Sequence, residues 1–528
     1  MSTERFYLRR NVQFTPLVNH WGAWTFLIPP MTAAMTIANL HVKMMESFVM
    51  SPQLHADVLK NPAARGAKLL AIDPSRVDEV SALLEQTKRD QAQMIRFAEG
   101  LKTFNQILVT EANGFSLENL YPKVPASLKG YIELVYDLNN FPVMRFIEGL
   151  LYQSPYYDTS VQSIGLSQIY TDRRPFSHAP IFDRDGTMIL KIPFQDPAVS
   201  ELSRLKYIPQ TFSYIKDRIR LEDSKDVRFK SYLTMDPPRK TVKYAGDGVR
   251  IRYFNHACLL IETKEISILT DPVLSYEYQS ELFRYTESDL PERINYVLIS
   301  HGHGDHFVIE WLLQLRHRID CIVVPKNGIG TLEDPSLKQL LQNLGFQNVI
   351  EIDDMELINL KTGFLMGLPF LGEHADLNIR AKTAYLIRLG KKSILCAADS
   401  RNVSPELYER VHKRIGDVDA LFLGMECDGA SLSWLYGQLI TRPVTREADQ
   451  TRRLSGSDCG RGMDIVTRLN CKQVYVYAMG EEPWLEYLTS LQYTEESIPI
   501  IESTKLVDQC RKRGIISEKL FAAKEIII

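Results

Sequence analysis

The amino-acid sequence predicts an α+β protein in which a mainly helical N-terminal domain is followed by an αββα sandwich. The first half carries apolar residues at helical spacing, whereas the second half alternates short β-branched runs with helical stretches. A polar, turn-rich segment, DPPRKTVKYAGDG at residues 236–248, separates the two textures. Since 528 residues are too many for one ordinary core, we expect two domains, at 1–240 and 241–528.

The composition is that of a globular protein without a nucleic-acid-binding surface. Lys and Arg number 62 against 65 Asp and Glu, and no basic block stands out. The N-terminus, MSTERFYLRR, lacks the apolar stretch of a secretory signal. The seven cysteines include no C-x-x-C pair, which fits reduced thiols better than a disulfide framework. We therefore expect a cytoplasmic protein that binds no nucleic acid.

The segment WGAWTFLIPPMTAAMTIANL, residues 21–40, comes nearest to a membrane-spanning stretch. Pro29 and Pro30 interrupt it, and His41 and Lys43 follow at once. It therefore falls short of the roughly 20 consecutive apolar residues that a span requires. We expect a buried strand or loop that leads into an amphipathic helix, and no membrane partner.

Helical patterns dominate the first half. A helix is predicted over 31–48, and Asp73 followed by Pro74 has the form of an N-cap with Pro at the first helical position. An apolar stripe then continues through residues 84–104. Another helical region is predicted over 126–152, with an interruption near Asn140.

Short strand-like runs dominate the second half, and helical stretches such as IEWLLQLRHR and LEDPSLKQLLQNLG separate some of them. Strands first in succession and then interleaved with helices favour a layered sandwich. The runs are VRIRYFNHACLLIE, ISILTDPV, INYVLIS, CIVVPK, AYLIRL, SILCAADS, ALFLGME and VYVYAMG.

The motif SHGHGDH directly follows the apolar run INYVLIS. His301 and His303 are two residues apart and can chelate one ion, whereas Asp305 and His306 project towards a second. A lone histidine in such a place is usually a solvated loop residue. Four ligand-type residues at one strand end, with acidic groups downstream, instead indicate a metal site.

This motif resembles the signature of the metallo-β-lactamase superfamily, which implies an αββα sandwich with one or two metals at one edge. The resemblance places a third ligand in GLPFLGEHADL, which offers Glu373 and His374. It implies that Asp399, in SILCAADS, bridges two metals. It also implies that Asp271, in ILTDP, supports the ligand loop without binding metal.

The last ligand departs from the hydrolytic members of that superfamily, which usually supply a histidine after the bridging aspartate. Here the only later histidine is His412, on what looks like an exposed helix face. The last ligand is therefore a carboxylate, a water or absent. Asp458, in RLSGSDCG, is the first candidate, followed by Asp464 and Glu426. A structural role such as helix capping is the alternative for each of them.

A second resemblance covers nearly the whole chain. The run LRRNVQFTPLVNHWGAWTFLIPPMTAAMTIANLHVKMMESF and the segments LGMECDGASLSWLYG and YVYAMGEEPWLEYL are similar to the metallo-β-lactamase-fold dinuclear-iron β-hydroxylases. In that family the third ligand is a glutamate, which implies Glu373 and leaves His374 outside the ligand set. The resemblance implies one iron bound by His301, His303, Glu373 and Asp399, and another bound by Asp305, His306 and the shared Asp399.

The donor set itself favours oxygen chemistry. Carboxylates at the third and last positions suit iron or manganese better than zinc, which prefers imidazole and thiolate and has no redox chemistry. The family resemblance implies an O2-dependent monooxygenase with two iron ions and an external electron donor. Its substrate would be an aminoacyl or acyl group tethered to the carrier (thiolation) domain of a nonribosomal peptide synthetase in antibiotic biosynthesis. The resemblance also implies a homodimer, and no catalytic side chain beyond the metal cluster.

Two other functions stay open from the sequence. A dinuclear metallohydrolase with two zinc or manganese ions could cleave a lactone, thioester or phosphodiester with metal-bound hydroxide. A binding module that keeps the fold without catalysis is the other alternative, although the complete H-x-H-x-D-H set speaks against it. Binding of the metal by His374 in place of Glu373 would favour the hydrolase.

Overall fold

The computed structural model describes residues 4–528 except 62, 63, 65, 175–178, 185, 240, 242 and 329. Within that described part, no helix combines the length and apolarity that crossing a bilayer requires. More N-terminal residues lie in helices than in strands, and the second half forms the expected sandwich.

The N-terminal helices match the predictions over 31–48 and after Asp73. A π-helical turn, Ile37–His41, joins the first two helices into one rod, and Asp73 accepts the N–H of Ser75 as an N-cap. The helices are α1 (Pro30–Thr36), α2 (Val42–Met50), α3 (Pro52–Leu59), α4 (Val77–Asp90), α5 (Ala92–Glu111), α6 (Glu148–Tyr152), α7 (Pro197–Arg204), α8 (Phe212–Ile219) and α9 (Asp226–Lys230).

Short sheets complete the N-terminal part. One has the order β3-β2-β6-β7, another β8-β1-β9, and β4 pairs with β5. The strands are β1 (Arg5–Leu8), β2 (Val12–Val18), β3 (Trp21–Gly22), β4 (Ile132–Tyr136), β5 (Pro142–Phe146), β6 (Gln162–Gln168), β7 (Met188–Leu190), β8 (Gln210–Thr211) and β9 (Leu233–Thr234).

The helix predicted over 126–152 is wrong for most of its length, because β4 and β5 form a hairpin there and only α6 is helical. The turn explains the difference. Asn140 adopts a left-handed conformation, with φ 62°, and Asp137 accepts the N–H groups of Asn139 and Phe141. Asn and Asp favour such turns, and the turn closes the hairpin.

The sandwich consists, among the described residues, of two seven-stranded sheets with the orders β15-β14-β13-β12-β11-β10-β23 and β16-β17-β18-β19-β20-β21-β22. The first sheet contains β10 (Arg250–Asn255), β11 (Cys258–Glu262), β12 (Ser267–Thr270), β13 (Ile294–Leu298), β14 (Ile319–Pro325), β15 (Val349–Ile352) and β23 (Lys524–Ile527). The second contains β16 (Leu357–Leu360), β17 (Gly363–Leu368), β18 (Ala384–Leu389), β19 (Lys392–Cys396), β20 (Ala420–Gly424), β21 (Gln473–Tyr477) and β22 (Ile516–Lys519).

Helices cover both outer faces of the sandwich. On the first sheet these are α10 (Ile309–Leu315) and α11 (Leu337–Asn343), and on the second they are α12 (Pro405–Ile415), α15 (Cys459–Arg468) and α17 (Ile498–Lys512). Shorter helices in the connecting segments are α13 (Leu432–Tyr436), α14 (Arg446–Thr451) and α16 (Glu486–Thr489). Short 3-10 turns occur at Thr25–Leu27, Pro74–Arg76, Leu117–Lys123, Thr159–Val161, Asp223–Lys225, Glu287–Asp289 and Pro483–Leu485.

Among the described residues, three apolar cores hold these layers together. One lies between the two sheets and contains Leu298 and Phe422, and another packs the second sheet against α12, α15 and α17. The third joins N-terminal side chains such as Phe14 and Phe97 to Trp311 of α10. The N-terminal part therefore shares a continuous core with the outer side of the first sheet, next to the helix that follows the histidine motif.

Candidate metal centre

The strand order brings the candidate ligands to one edge of the sandwich. β12, β13, β14 and β15 run parallel, as do β19, β20, β21 and β22, so the carboxyl ends within each set share an edge. The histidine motif follows β13, Glu373 follows β17, and Asp399 follows β19. Loops after such strand ends are where α/β sheets commonly form their sites.

Among the described residues, three groups of side chains each have their potential ligand atoms within 4.8 Å of one another. They contain most of the residues that the sequence predicts, together with one that it does not, His256. The groups are His301, His303, Glu373 and His374; His256, Asp305 and His306; and His301, His306 and Asp399.

Asp399 lies between the two halves of the motif. Its Oδ2 is 3.8 Å from Nε2 of His301 and 3.0 Å from Nε2 of His306. Glu373 approaches the first half from another side, with Oε1 3.1 Å from Nδ1 of His303 and Oε2 3.7 Å from Nε2 of His301. One carboxylate thus faces both parts of the motif, which is the arrangement of a bridging ligand.

Several of these atoms are buried without a hydrogen-bond partner. They include Nε2 of His301, Nε2 of His306, Oε2 of Glu373 and Oδ1 of Asp399. Buried polar atoms are rarely left unpaired, because losing water without a partner is costly. Cations among these atoms would pair them, so the residues present fit a dinuclear metal centre.

Asp271, which the family resemblance implies as a support of the ligand loop, contacts Ser300 and His306 of the motif. It adopts φ 33°, and its carboxylate accepts the backbone N–H of Ser300 at 2.7 Å and the hydroxyl of Ser300 at 2.6 Å. Nδ1 of His306 lies 2.9 Å from the same carboxylate. This contact fixes the proton on Nδ1 and leaves Nε2 of His306 directed at Asp399.

His303 has a second contact that the sequence does not signal. Its Nε2 lies 2.8 Å from the phenol oxygen of Tyr436, a buried residue of α13. Nδ1 of the same ring is therefore the nitrogen that faces Glu373. Tyr436 is 133 positions away in the chain, and nothing in the apolar segment LSWLY indicates a contact with the motif.

His256 is the other residue that sequence reasoning missed. It lies in the turn between β10 and β11, inside the run VRIRYFNHACLLIE that the sequence predicts as strand. Its Nε2 is 3.1 Å from Oδ2 of Asp305, and its ring lies 4.8 Å from that of His306. Although burial acts to raise it, the pKa of Asp305 is held well below its ordinary value by His306 and His256.

Glu373 and His374 lie side by side, and their surroundings differ. Burial raises the pKa of Glu373 to about 7, partly offset by His303, and its Oε2 lacks a hydrogen bond. Burial lowers the pKa of His374, so its imidazole is neutral, and its Nδ1 lies 3.2 Å from the carbonyl oxygen of Gly372. Glu373 therefore faces both His301 and His303, whereas Nδ1 of His374 faces a backbone carbonyl oxygen.

The three carboxylates suggested for the last ligand have different positions. Asp458 caps α15 by accepting the N–H of Arg461, so the structure places it in a structural role outside the three groups. Asp464 accepts a hydrogen bond from the side-chain amide of Asn402 at 2.7 Å, and it too lies outside the three groups of potential ligands. Glu426 follows β20. Its burial, together with repulsion from the nearby carboxylate of Asp399, raises its pKa to about 8.

A cavity of about 1240 Å3 opens onto this centre. Its wall includes His303 and Asp399 at one end, and Trp24, His41 and Phe182 from the N-terminal part. Pockets for small ligands typically measure about 300–1,000 Å3. The volume therefore suits a ligand larger than a free amino acid. Such a ligand would lie between the N-terminal part and the metal edge, the edge of the sandwich that carries the histidine motif, Glu373 and Asp399.

Comparisons with known proteins show similarity to diiron β-hydroxylases along nearly the whole chain. Residues 7–237 match the family model of the diiron non-heme β-hydroxylase N-terminal domain, and residues 250–339 match a β-lactamase superfamily domain. The 4-amino-L-phenylalanyl-(CmlP peptidyl-carrier protein) 3-hydroxylase of Streptomyces venezuelae is 35% identical over 524 residues, 98% of each chain. The crystal structure of CmlA, a diiron β-hydroxylase from Streptomyces venezuelae, is 34% identical and covers 100% of both chains with a TM-score of 0.93.

Similarity to a hydrolase is much shorter. A metal-dependent hydrolase of Desulforamulus reducens is 34% identical over 58 residues, which are 11% of this chain and 23% of the hydrolase. Such a stretch covers only a small part of the sandwich. The similarity to the β-hydroxylase, in contrast, spans the N-terminal part and the whole sandwich.

Proposed function

From its membership of the diiron non-heme β-hydroxylases, the family to which this chain belongs, we propose that it hydroxylates the β-carbon of an aminoacyl group. The protein is a diiron β-hydroxylase with the metallo-β-lactamase fold, and its cofactor is a pair of iron ions. The aminoacyl group would be held as a thioester on a peptidyl carrier domain, the type of substrate named for the Streptomyces venezuelae relative.

The proposed ligands are three histidines, two aspartates and one glutamate. Four of them, His301, His306, Glu373 and Asp399, have unpaired buried atoms, which supports the assignment because each such atom would gain a cation as its partner. Nε2 of His256 donates to Oδ2 of Asp305 and so orients that ligand instead of binding metal itself. One iron would have His301, His303, Glu373 and Asp399, and the other would have Asp305, His306 and Asp399.

Bound iron would supply the redox chemistry that O2-dependent hydroxylation requires and that zinc lacks. The chain supplies a fixed geometry through two contacts. Asp271 holds Nδ1 of His306, and Tyr436 holds Nε2 of His303, so the other nitrogen of each ring is directed at the metal site. Three carboxylates among the six ligands offset the positive charge of two iron ions and suit iron better than an all-imidazole set would.

The cavity supports a carrier-bound substrate. Its volume is larger than a free amino acid needs, and its lining includes Lys68, Arg76, Arg173 and Arg184 of the N-terminal part. A carrier presents its substrate on a flexible arm that contains a phosphate, and cationic side chains are suited to such a group. We therefore expect the arm to pass along this N-terminal wall, with the aminoacyl group at the metal edge.

Metal analysis combined with an oxygen assay tests the proposed function. Purified protein should contain two irons per chain and, with reductant, O2 and an aminoacyl-loaded carrier, should add one oxygen atom to that group. Asp399→Asn should lose iron and hydroxylation, whereas Asp458→Asn, a matched change at the α15 cap, should keep both. Zinc in place of iron, with reductant-independent cleavage of an ester or phosphodiester, would instead establish the hydrolase.

Three further expectations belong to this proposal. Residues 1–240 would dock the carrier and 241–528 would bind the metals, a division that agrees with family matches ending at 237 and beginning at 250. The enzyme would act in the cytoplasm, where its cysteines, all free in the structure, stay reduced. It would receive electrons from an external donor and form a homodimer, which analytical ultracentrifugation would test.

A further inference from the structure

The N-terminal wall of the cavity is basic. Among the described lining residues, the N-terminal part contributes five basic side chains and no acidic one, whereas the acidic lining residues all come from the sandwich. Such an asymmetry of charge attracts an anionic group of a ligand to the N-terminal wall. The five basic residues are Lys68, Arg76, Arg173, Arg174 and Arg184.

Lys68 and Arg174 contact the sandwich. Arg174 binds Glu310 through two nitrogens, at 3.2 and 2.8 Å, and its guanidinium carbon lies 3.5 Å from the ring centre of Tyr487. Nζ of Lys68 donates to the carbonyl oxygen of Ser433 at 2.9 Å. These two cations therefore hold the N-terminal part against the sandwich, and the other three are the candidates for binding a ligand.

Arg76 and Arg184 converge on one carboxylate. Nη2 of Arg76 lies 3.0 Å from Oε2 of Glu79, and Nη1 of Arg184 pairs with Oε1 of the same side chain. The Arg76 guanidinium also lies 4.9 Å from the ring centre of Phe182, which lines the cavity. A guanidinium is a planar fork of donors that matches the geometry of a phosphate. Two such forks, held together by Glu79, form a fixed pair suited to a phosphate group.

Two aspartates near this pair have partners of their own. Asp73 caps the turn that contains Arg76, and Asp183 pairs with Lys225 at 3.3 Å and with Arg228 at 2.8 Å. Neither aspartate, nor the shared glutamate, is among the described residues that line the cavity. An anion that enters from the cavity therefore meets the guanidinium groups before it meets a carboxylate.

A segment of the N-terminal part, residues 20–25, leads from this pair to the metal edge. At one end, the rings of Phe182 and His20 have their centres 5.6 Å apart. At the other end, Cγ2 of Thr25 lies 3.4 Å from the position that a Cβ on Gly302, inside the histidine motif, would occupy. Residues 21–24 lie between these ends, and all of them line the cavity. Five residues of extended chain span at most about 17 Å, which bounds the length of this track.

The arm of a peptidyl carrier matches that length. Phosphopantetheine has about as many bonds between its phosphorus and its sulfur as four residues of polypeptide backbone, so it spans about 15 Å when extended. A phosphate at Arg76 and Arg184 would therefore place the thioester close to the metal edge. Within the described sheet, β3 is the edge strand, and edge strands offer backbone groups to which the two amides of the arm can bind.

We propose that Arg76 and Arg184 bind the phosphodiester of the carrier's phosphopantetheine arm and so fix how far the arm reaches along residues 20–25. This inference rests on the proposed function and adds the residues that anchor the arm. It makes the two arginines a binding site for the arm, distant from the aminoacyl group and from the iron ligands.

The experiment compares two arm probes that contain neither a carrier protein nor an aminoacyl group. One is S-acetylpantetheine, and the other is the methyl ester of its phosphate, a diester with the single negative charge that the arm has on a carrier. In isothermal titration calorimetry, the iron-loaded wild type should bind the diester roughly 10- to 100-fold more tightly, the range expected for hydrogen bonds to a charged group. In the double variant Arg76→Gln, Arg184→Gln this preference should shrink to within about threefold, while binding of S-acetylpantetheine stays the same.

A matched control and a single variant separate this role from a general loss of charge or of folding. Arg204→Gln removes an arginine of similar exposure that pairs with Glu201 on α7, outside the cavity lining, and should keep the wild-type preference. Arg184→Gln alone changes a half-exposed side chain and should lower the preference at least threefold.

Two results would overturn the proposal: a wild-type preference in the double variant, or equal weakening of both probes by Arg184→Gln. Acidic side chains on a carrier's surface cannot produce the preference, because neither probe contains a carrier. The binding measurements also need no turnover. Absence of hydroxylation by the wild type would therefore contradict the proposed function, while the preference for the diester still decides the role of Arg76 and Arg184.

Discussion

Replacing Glu373 or its neighbour His374 by alanine tests the ligand assignment directly. Glu373 lies 3.1 Å from Nδ1 of His303 and 3.7 Å from Nε2 of His301, and its Oε2 has no hydrogen-bond partner. Removing one member of a buried charged set typically costs about 3–5 kcal/mol. At about 1.4 kcal/mol per tenfold change, Glu373→Ala should weaken one metal site roughly 100- to 5000-fold.

His374→Ala should be much milder. Its Nδ1 contacts the carbonyl oxygen of Gly372 and the carboxylate of Glu373, and its imidazole is neutral because burial lowers its pKa. Loss of one such hydrogen bond costs about 1 kcal/mol, which corresponds to roughly fivefold weaker metal binding.

Anaerobic titration with ferrous iron against a competing chelator measures both effects, with iron per chain as the readout. His412→Ala, which removes a histidine on α12 that pairs only with Asp417 among the described residues, serves as the control. Retention of both irons by Glu373→Ala, with loss of one from His374→Ala, would refute the reasoning and restore the hydrolase-like ligand set.

Three further changes have defined outcomes. Asp271→Ala leaves three donors without their acceptor, including Nδ1 of His306, and should lower the free energy of unfolding by about 2–4 kcal/mol in denaturant titrations; an unchanged value would contradict its supporting role. Tyr436→Phe removes the partner of His303 and should weaken iron binding about 10- to 100-fold in the chelator assay, and wild-type affinity would argue against this contact. Burial raises the pKa of Glu148 from 4.5 to about 7, so the folded protein keeps a proton that the unfolded chain releases. The contribution of Glu148 to the stability of the metal-free protein should therefore fall by about 3 kcal/mol as the pH rises from 4.5 to 7, and Glu148→Gln should lose that much less stability than wild type over this range; an equal loss in both proteins would exclude a contribution from Glu148.

The sandwich was predictable because its strands carry a local signal. Runs such as INYVLIS and SILCAADS are apolar on both sides, as expected for strands buried between a sheet and a helical layer, and they became β13 and β19. The helix over 31–48 was predictable for the same reason, since its periodicity is local.

The hairpin of β4 and β5 shows where local reasoning fails. YIELVY can be placed on a helix or on a strand, and the pairing of Ile132 with Phe146 decides between them. That pairing depends on the turn at Asp137 to Phe141 and on packing against the N-terminal helices. Tertiary contacts override a weak helical preference in such a segment.

The metal centre likewise contains residues with a local sequence signal and residues that only tertiary contacts bring together. By itself the sequence showed the histidine motif, and its family resemblance predicted Asp271, Asp399 and Glu373 in preference to His374, because strand ends and family motifs are local features. Only the tertiary structure decided that Asp458 caps a helix and that Tyr436, His256 and Glu426 lie at the metal edge. The physical reason is that these residues meet the motif through strand order and loop packing, across separations of 49 positions for His256 and Asp305 and 133 for His303 and Tyr436.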